Sequence, residues 1–166
     1  MLSHLPLLIT ALLVATFVMA ACHDVVARTL PNWIAIAVFI LGLLQQIVFG
    51  TSVTALLVGV NVLILAVLLW HFRFLGGGDA KLIAASCMVV APDQVGNLLL
   101  AVTLAGGALG LLYLALSKLI RRPAAGSRRG YLRRILKAEA WRIHRRSSLP
   151  YATAIAAGSV FTLMFS

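Results

Sequence analysis

Only four of the 166 residues are acidic, and two of them, Asp24 and Asp79, stand beside long apolar runs. A carboxylate near hydrocarbon is costly, so its presence there by default points to function. Two such groups held close cannot both ionise cheaply; they share one proton and titrate as a pair. The ionised member can then take a proton from water while the protonated member donates to a carbonyl oxygen, which is aspartic-peptidase chemistry and uses no metal. Asp79 closes a glycine triplet in Phe74-Leu75-Gly76-Gly77-Gly78-Asp79-Ala80-Lys81-Leu82. Each glycine costs a helix roughly 1 kcal/mol against alanine, so the triplet implies a backbone that is either unwrapped or closely approached. One use would be to let an extended substrate backbone reach Asp79. A plainer alternative is that Asp79 only N-caps the next helix. Asp24 falls near the C-terminal end of the first apolar segment, where the helix dipole disfavours negative charge. It could simply pair with Arg28 one turn on. On the same helix-end rule, Asp24 is expected to be the protonated member and Asp79, at a helix N-terminus, the ionised one.

Other chemistries find less support. His4, His23, His71 and His144 are scattered without ligand-pair spacing, and no metal or other cofactor is expected. Cys22 and Cys87 each lie alone in an apolar run and read as small buried hydrophobes, neither disulfide nor metal ligands. His23 reads as an interfacial residue rather than a base. Ser86 has no evident partner for nucleophilic work.

The elements that must carry these aspartates follow from composition. The chain is 62% hydrophobic and 11% charged, far too apolar for a soluble domain of this length. A bilayer requires backbone groups to be bonded within a segment, so the fold class is all-α, a polytopic membrane protein of about six transmembrane helices. The spans expected are 5–22, 33–49, 53–72, a short fourth over 82–91, 95–116 and 151–165, together forming one domain over residues 1–166. The fourth is read as a true crossing. From Asp79 to Asp93 a helix rises only about 20 Å, which would place Asp79 below the near membrane surface. Gly106 and Gly110 have the spacing that lets helices approach closely. The formal charge of +10 comes largely from a basic connection at about 118–148. Within it Leu132, Ile135, Leu136, Ala140 and Ile143 recur at helical spacing, suggesting an amphipathic helix on anionic headgroups rather than a nucleic-acid-binding arm. With six crossings, every Lys and Arg falls in the connections after spans one, three and five. The positive-inside rule places those connections, with Asp24 and Asp79, in the cytoplasm and both termini outside it.

Several of these residues carry a resemblance. Gly76-Gly77-Gly78-Asp79 fits the Gly-x-Gly-Asp motif of intramembrane aspartyl proteases, and Ala80-Lys81-Leu82 looks like its continuation in type IV prepilin peptidases. Asp24, Arg28 and Leu30-Pro31-Asn32 are similar to that family's first aspartate region, and Pro150-Tyr151-Ala152 resembles its closing Pro-Tyr or Pro-Phe element. The resemblance implies catalytic Asp24 and Asp79 in an endopeptidase of the bacterial inner membrane. Its implied action is to remove the N-terminal leader of prepilins or pseudopilins on the cytoplasmic side. The small branch serving tight-adherence (Flp-type) pili is the nearest in form. Larger members insert a domain with paired Cys-x-x-Cys motifs after the first span and also methylate the new N-terminus; residues 25–32 leave no room for it, so methylation is not expected. Other readings are a small transporter that binds a proton or cation on the same aspartates, or an idle scaffold. Oligomeric state is not readable.

Overall fold

The computed structural model describes residues 4–119 and 149–165. Among them are six α-helices and no strand: α1 (Leu5–Ala27), α2 (Asn32–Phe49), α3 (Ser52–His71), α4 (Gly77–Ser86), α5 (Val95–Leu119) and α6 (Tyr151–Phe165). The expected all-α class is observed. Residue contacts divide the chain into Met1–Ala105 with Pro150–Ser166, and Gly106–Leu149. The amphipathic segment and most of the basic connection expected at 118–148 lie outside the described residues. In the second unit, a Cβ on Gly110 would make ordinary contact with Leu149 Cδ1 at 3.8 Å.

In the first unit, local chemistry sets the helix ends. Pro31 precedes α2 in extended conformation (φ −63°, ψ 140°), and Gly50 closes α2 in the left-handed region at φ 72°, a position glycine fills without strain. Among the described residues of the whole chain, four segments are long and apolar enough to cross a bilayer: Leu5–Ala27, Asn32–Phe49, Ser52–His71 and Pro92–Lys118. The chain is a multi-pass membrane protein.

The shortest helix is the most enclosed. The 20-residue α3 buries only Ala55, Gly59 and Ala66. In α4, by contrast, Ala80, Leu82, Ala84, Ala85 and Ser86 are buried, and Cys87 to Val90 continue the core. It packs against α2, α3 and α6, while α1 packs against α2 and α6. The expected helical run through Ala91 is corrected here. α4 has 10 residues, about 15 Å of rise, and the chain leaves it by turns over 87–90.

Such irregular backbone survives among apolar helices only if its polar groups find partners. Gln46 supplies them, its Nε2 donating to the carbonyl oxygens of Met88 at 3.2 Å and Val90 at 2.6 Å. Thr51 Oγ1 donates to the Gln46 side-chain oxygen and holds the amide in place. Gly42, one turn earlier, makes room: a Cβ there would stand 2.8 Å from the Met88 carbonyl carbon and oxygen. Gly158 of α6 does the same against Val102 of α5, where a Cβ would meet the backbone nitrogen at 2.6 Å. Both are close backbone approaches among the described residues. Cys87 is fully buried as expected, but Cys22 is exposed on α1.

Candidate active site

Asp24 lies in the last turn of α1 and is buried, with 7% of its surface exposed. The N-terminus of α6 reaches it, and the Ala152 N–H donates to Asp24 Oδ2 at 3.0 Å. Ala152 is the second residue of α6, so its N–H has no acceptor within its own helix. A carboxylate from α1 satisfies it, and the positive end of the α6 dipole faces that carboxylate. This corrects the field expected from α1 alone. Asp24 sits at the C-terminus of its own helix and at the N-terminus of another. Asp79 also lies in a first helical turn, that of α4, so the helix-end rule no longer separates acid from base.

Asp79 is the third residue of α4, half-buried, and Gly76 occupies the cap position without a side-chain cap hydrogen bond. The N-cap alternative for Asp79 is therefore replaced. None of the three glycines has a left-handed backbone, and Gly77 and Gly78 are wound into the helix. Each is explained by what stands over it. A Cβ on Gly76 would lie 2.7 Å from Asp79 Oδ2, on Gly77 it would lie 3.2 Å from Trp70 Nε1, and on Gly78 it would lie 3.1 Å from Leu30 Cβ. Close approach, not unwinding, is what the triplet provides, and the groups that approach belong to the protein itself. Gly78 admits the α1–α2 connection to the start of α4, while Gly76 leaves space for the Asp79 carboxylate to fold back over the cap.

The two aspartates lie within electrostatic reach of one another. The charge of Asp24 acts on Asp79, and that of Asp79 acts on the Tyr151 phenol at the start of α6. Around this cluster the connections are braced. Arg28 ends α1 in the left-handed region (φ 55°), its N–H donating to the Asp24 carbonyl oxygen at 2.9 Å. His23 Nδ1–H donates to the Thr29 carbonyl at 2.7 Å, since a carbonyl can only accept; His23 is a loop brace. Lys81 Nζ donates to Asn32 Oδ1 at 3.0 Å and ties α4 to the first residue of α2. The motif residues after Asp79 and after Pro31 thus hold each other. Among the described residues no three His, Cys, Asp or Glu side chains gather as a metal site would need. An apolar cavity of about 470 Å³ between α2, α3 and α4 is lined by Lys81, Ala84, Ala85 and Met88, and neither aspartate borders it.

Sequence reasoning named Asp24, Asp79 and the glycines, and the fold brings all five residues to one end of the first unit. It missed the N-terminus of α6 as the holder of Asp24. Pro150 before the last apolar run was the available signal, because it marks a helix start whose first N–H groups need acceptors. Among known families, the chain matches the type IV leader peptidase family over residues 11–113, a stretch holding Asp24, Asp79 and the glycine triplet. No curated protein and no solved structure matches. The family match covers well over half of the sequence, and the chain accordingly belongs to the type IV leader peptidase family: it is a membrane peptidase.

Proposed function

We propose that this peptidase is an aspartic endopeptidase in which Asp24 and Asp79 together hydrolyse the leader junction of prepilin-type substrates. The observation that supports the reading is two carboxylates on different helices whose charges act on one another, one buried and held by the Ala152 N–H, the other folded back over Gly76. In the reaction, the ionised carboxylate takes a proton from water as the water oxygen attacks the scissile carbonyl carbon. The protonated carboxyl gives its proton to the carbonyl oxygen, and a tetrahedral diol results. Collapse of the diol breaks the C–N bond, with a proton delivered to the leaving nitrogen, and yields a new carboxyl terminus on the leader and a new amino terminus on the pilin.

Orientation follows from charge. With six crossings, α4 and α6 included, all Lys and Arg lie on one side with the two aspartates, which the positive-inside rule makes the cytoplasmic face of a bacterial inner membrane. Both termini are then extracytoplasmic, and the basic stretch at 118–148 contacts anionic headgroups. The short α1–α2 connection has no room for a methyltransferase domain, so cleavage without N-methylation is proposed, in the manner of the Flp-type branch.

The test is co-expression with a Flp-type prepilin in a host lacking its own prepilin peptidase, with leader loss read as a mass shift. The wild type should remove the leader and leave an unmethylated N-terminus. Intact prepilin beside correctly inserted wild-type protein, across several prepilins, would overturn the reading.

A further inference from the structure

At the end of the first unit away from the aspartates, the same helices line a polar cavity of about 520 Å³. Thr10 of α1, Gln45 of α2 and Leu163 of α6 reach it, while Asp24, Asn32 and Ala152 stand near the opposite ends of those helices. Neither Asp24, Asp79 nor any of the three motif glycines borders it. Gln45 is the group that lacks a partner. It is 8% exposed, and its Oε1 is buried without a hydrogen-bond partner. A buried acceptor left unpaired is expensive and points to something the site holds. The terminal torsion of a glutamine is broad, so this amide oxygen turns toward a ligand in the cavity at little cost.

The other polar side chains of the lining have largely committed their donors. Thr10 Oγ1 donates to the Pro6 carbonyl oxygen at 2.9 Å, and Thr51 Oγ1 donates to Gln46 Oε1. Gln46 Nε2 gives its hydrogens to the carbonyls of Met88 and Val90. Gln94 Nε2 donates to Asp93 Oδ2 at 3.4 Å. What remains is chiefly acceptors: lone pairs on the Thr10 and Thr51 hydroxyls, Gln45 Oε1 and the exposed Asp93 carboxylate. Against them stand only amide hydrogens of Gln45 and Gln94. No Lys or Arg is among the lining residues, so nothing in the lining opposes the Asp93 charge.

That inventory selects the ligand. A water could donate to Gln45 Oε1, but its own lone pairs need donors that are mostly spent, and it leaves the Asp93 charge unbalanced. A metal ion would find a single carboxylate and fill a small part of the space. A primary ammonium group has three donors, no acceptor and one positive charge. Phe49, Val90 and Leu163 supply apolar wall for the carbon attached to it. We infer that this cavity binds a primary ammonium group on a short alkyl stem, with Gln45 Oε1, Thr51 Oγ1 and the Asp93 carboxylate as acceptors. The ethanolamine headgroup of a phospholipid and a free alkylamine share this chemistry. The site stands apart from the carboxylate pair and does not depend on the aspartic reading. Val89 and Val90, in the turns that follow α4, form part of its wall, so occupancy fastens the segment that leaves the helix carrying Asp79.

The test measures Tm of the full chain in nanodiscs of phosphatidylcholine, whose quaternary headgroup has no N–H, with and without added phosphatidylethanolamine. Each preparation is titrated with n-butylammonium or with n-butyltrimethylammonium. Ligand at about 100 times Kd should raise Tm by about 5–10 °C. If the headgroup fills the site, phosphatidylethanolamine gives the rise alone and n-butylammonium adds nothing to it. If a free amine fills it, both bilayers respond alike to n-butylammonium. Either result supports the site when the quaternary amine is inert and Gln45→Leu and Asp93→Asn each lose the rise. Asp93 is exposed and asparagine keeps its shape, so Asp93→Asn decides the matter even where Gln45→Leu does not fold. No rise from either source, an equal rise with the quaternary amine, or a rise retained in Asp93→Asn would overturn the inference. Leader cleavage does not enter the readout, so failure here leaves the aspartic reading standing.

Discussion

Replacing Gly76 by alanine should separate activity from stability, and the structure gives the size of the effect. The new methyl group would stand 2.7 Å from Asp79 Oδ2, whereas ordinary contact begins at 3.4 Å, so the carboxylate must retreat by about 0.7 Å. A displacement of about 1 Å in a reacting group costs on the order of 10²-fold, so kcat should fall about 10- to 100-fold. That corresponds to about 1.4–2.7 kcal/mol on the barrier. Stability should hardly move. Gly76 has φ −70° and ψ 144°, which alanine adopts freely, and restricting the unfolded chain stabilises by roughly 0.4–1 kcal/mol. Alanine is a poorer N-cap than glycine by a comparable amount, so the two nearly cancel. Steady-state cleavage of a junction peptide, with thermal unfolding of the same preparation, reads both quantities. Wild-type kcat in Gly76→Ala would refute the placement of the Asp79 carboxylate over the cap. A parallel collapse of kcat and Tm would show that the glycine serves the fold rather than the carboxylate.

Other perturbations act on the packing behind the site. Gly42→Ala puts a Cβ 2.8 Å from the Met88 backbone, which cannot swing aside as a side chain would; overpacking of this kind costs about 1–3 kcal/mol, read as a lowered Tm. An unchanged Tm would mean that α2 and the chain after α4 are not in the contact described. Gln46→Leu removes the donor to two buried carbonyls, at about 1–3 kcal/mol for each group left unsatisfied, and should lower Tm more than Gln45→Leu. Equal effects at the two positions would remove Gln46 from its special place.

Much of the fold was legible because hydrocarbon length and backbone satisfaction permit few alternatives. The last helix occupies Tyr151–Phe165 as read, and α2 ends at Phe49 as read. The fourth element was misjudged for a physical reason. An apolar run in a membrane protein shows that a segment is buried but not where its helix stops, since the carbonyls of Met88 and Val90 can be satisfied by Gln46, more than 40 residues earlier. The glycine triplet left two options open, a backbone unwrapped or closely approached; the neighbours that approach it come from the α1–α2 connection, the end of α3 and Asp79 itself, and no local pattern identifies them. Asp24 was judged by its own helix, while its oxygen is held by a helix 128 residues away. The candidate pair was thus visible as two unusual acids. The support that α6 gives Asp24 appeared only when the helices were packed.

The account's central claim is that Asp24 and Asp79 act as one unit, and the most direct measurement is kcat/KM for Asp24→Asn, Asp79→Asn and the double variant in purified, folded protein. Groups that work as a unit are grossly non-additive. Each single replacement should abolish leader cleavage to about the same residual level, and the double should be no worse than either. A single variant that keeps substantial cleavage, or a double variant whose loss is the product of the two single losses, would contradict a shared catalytic pair.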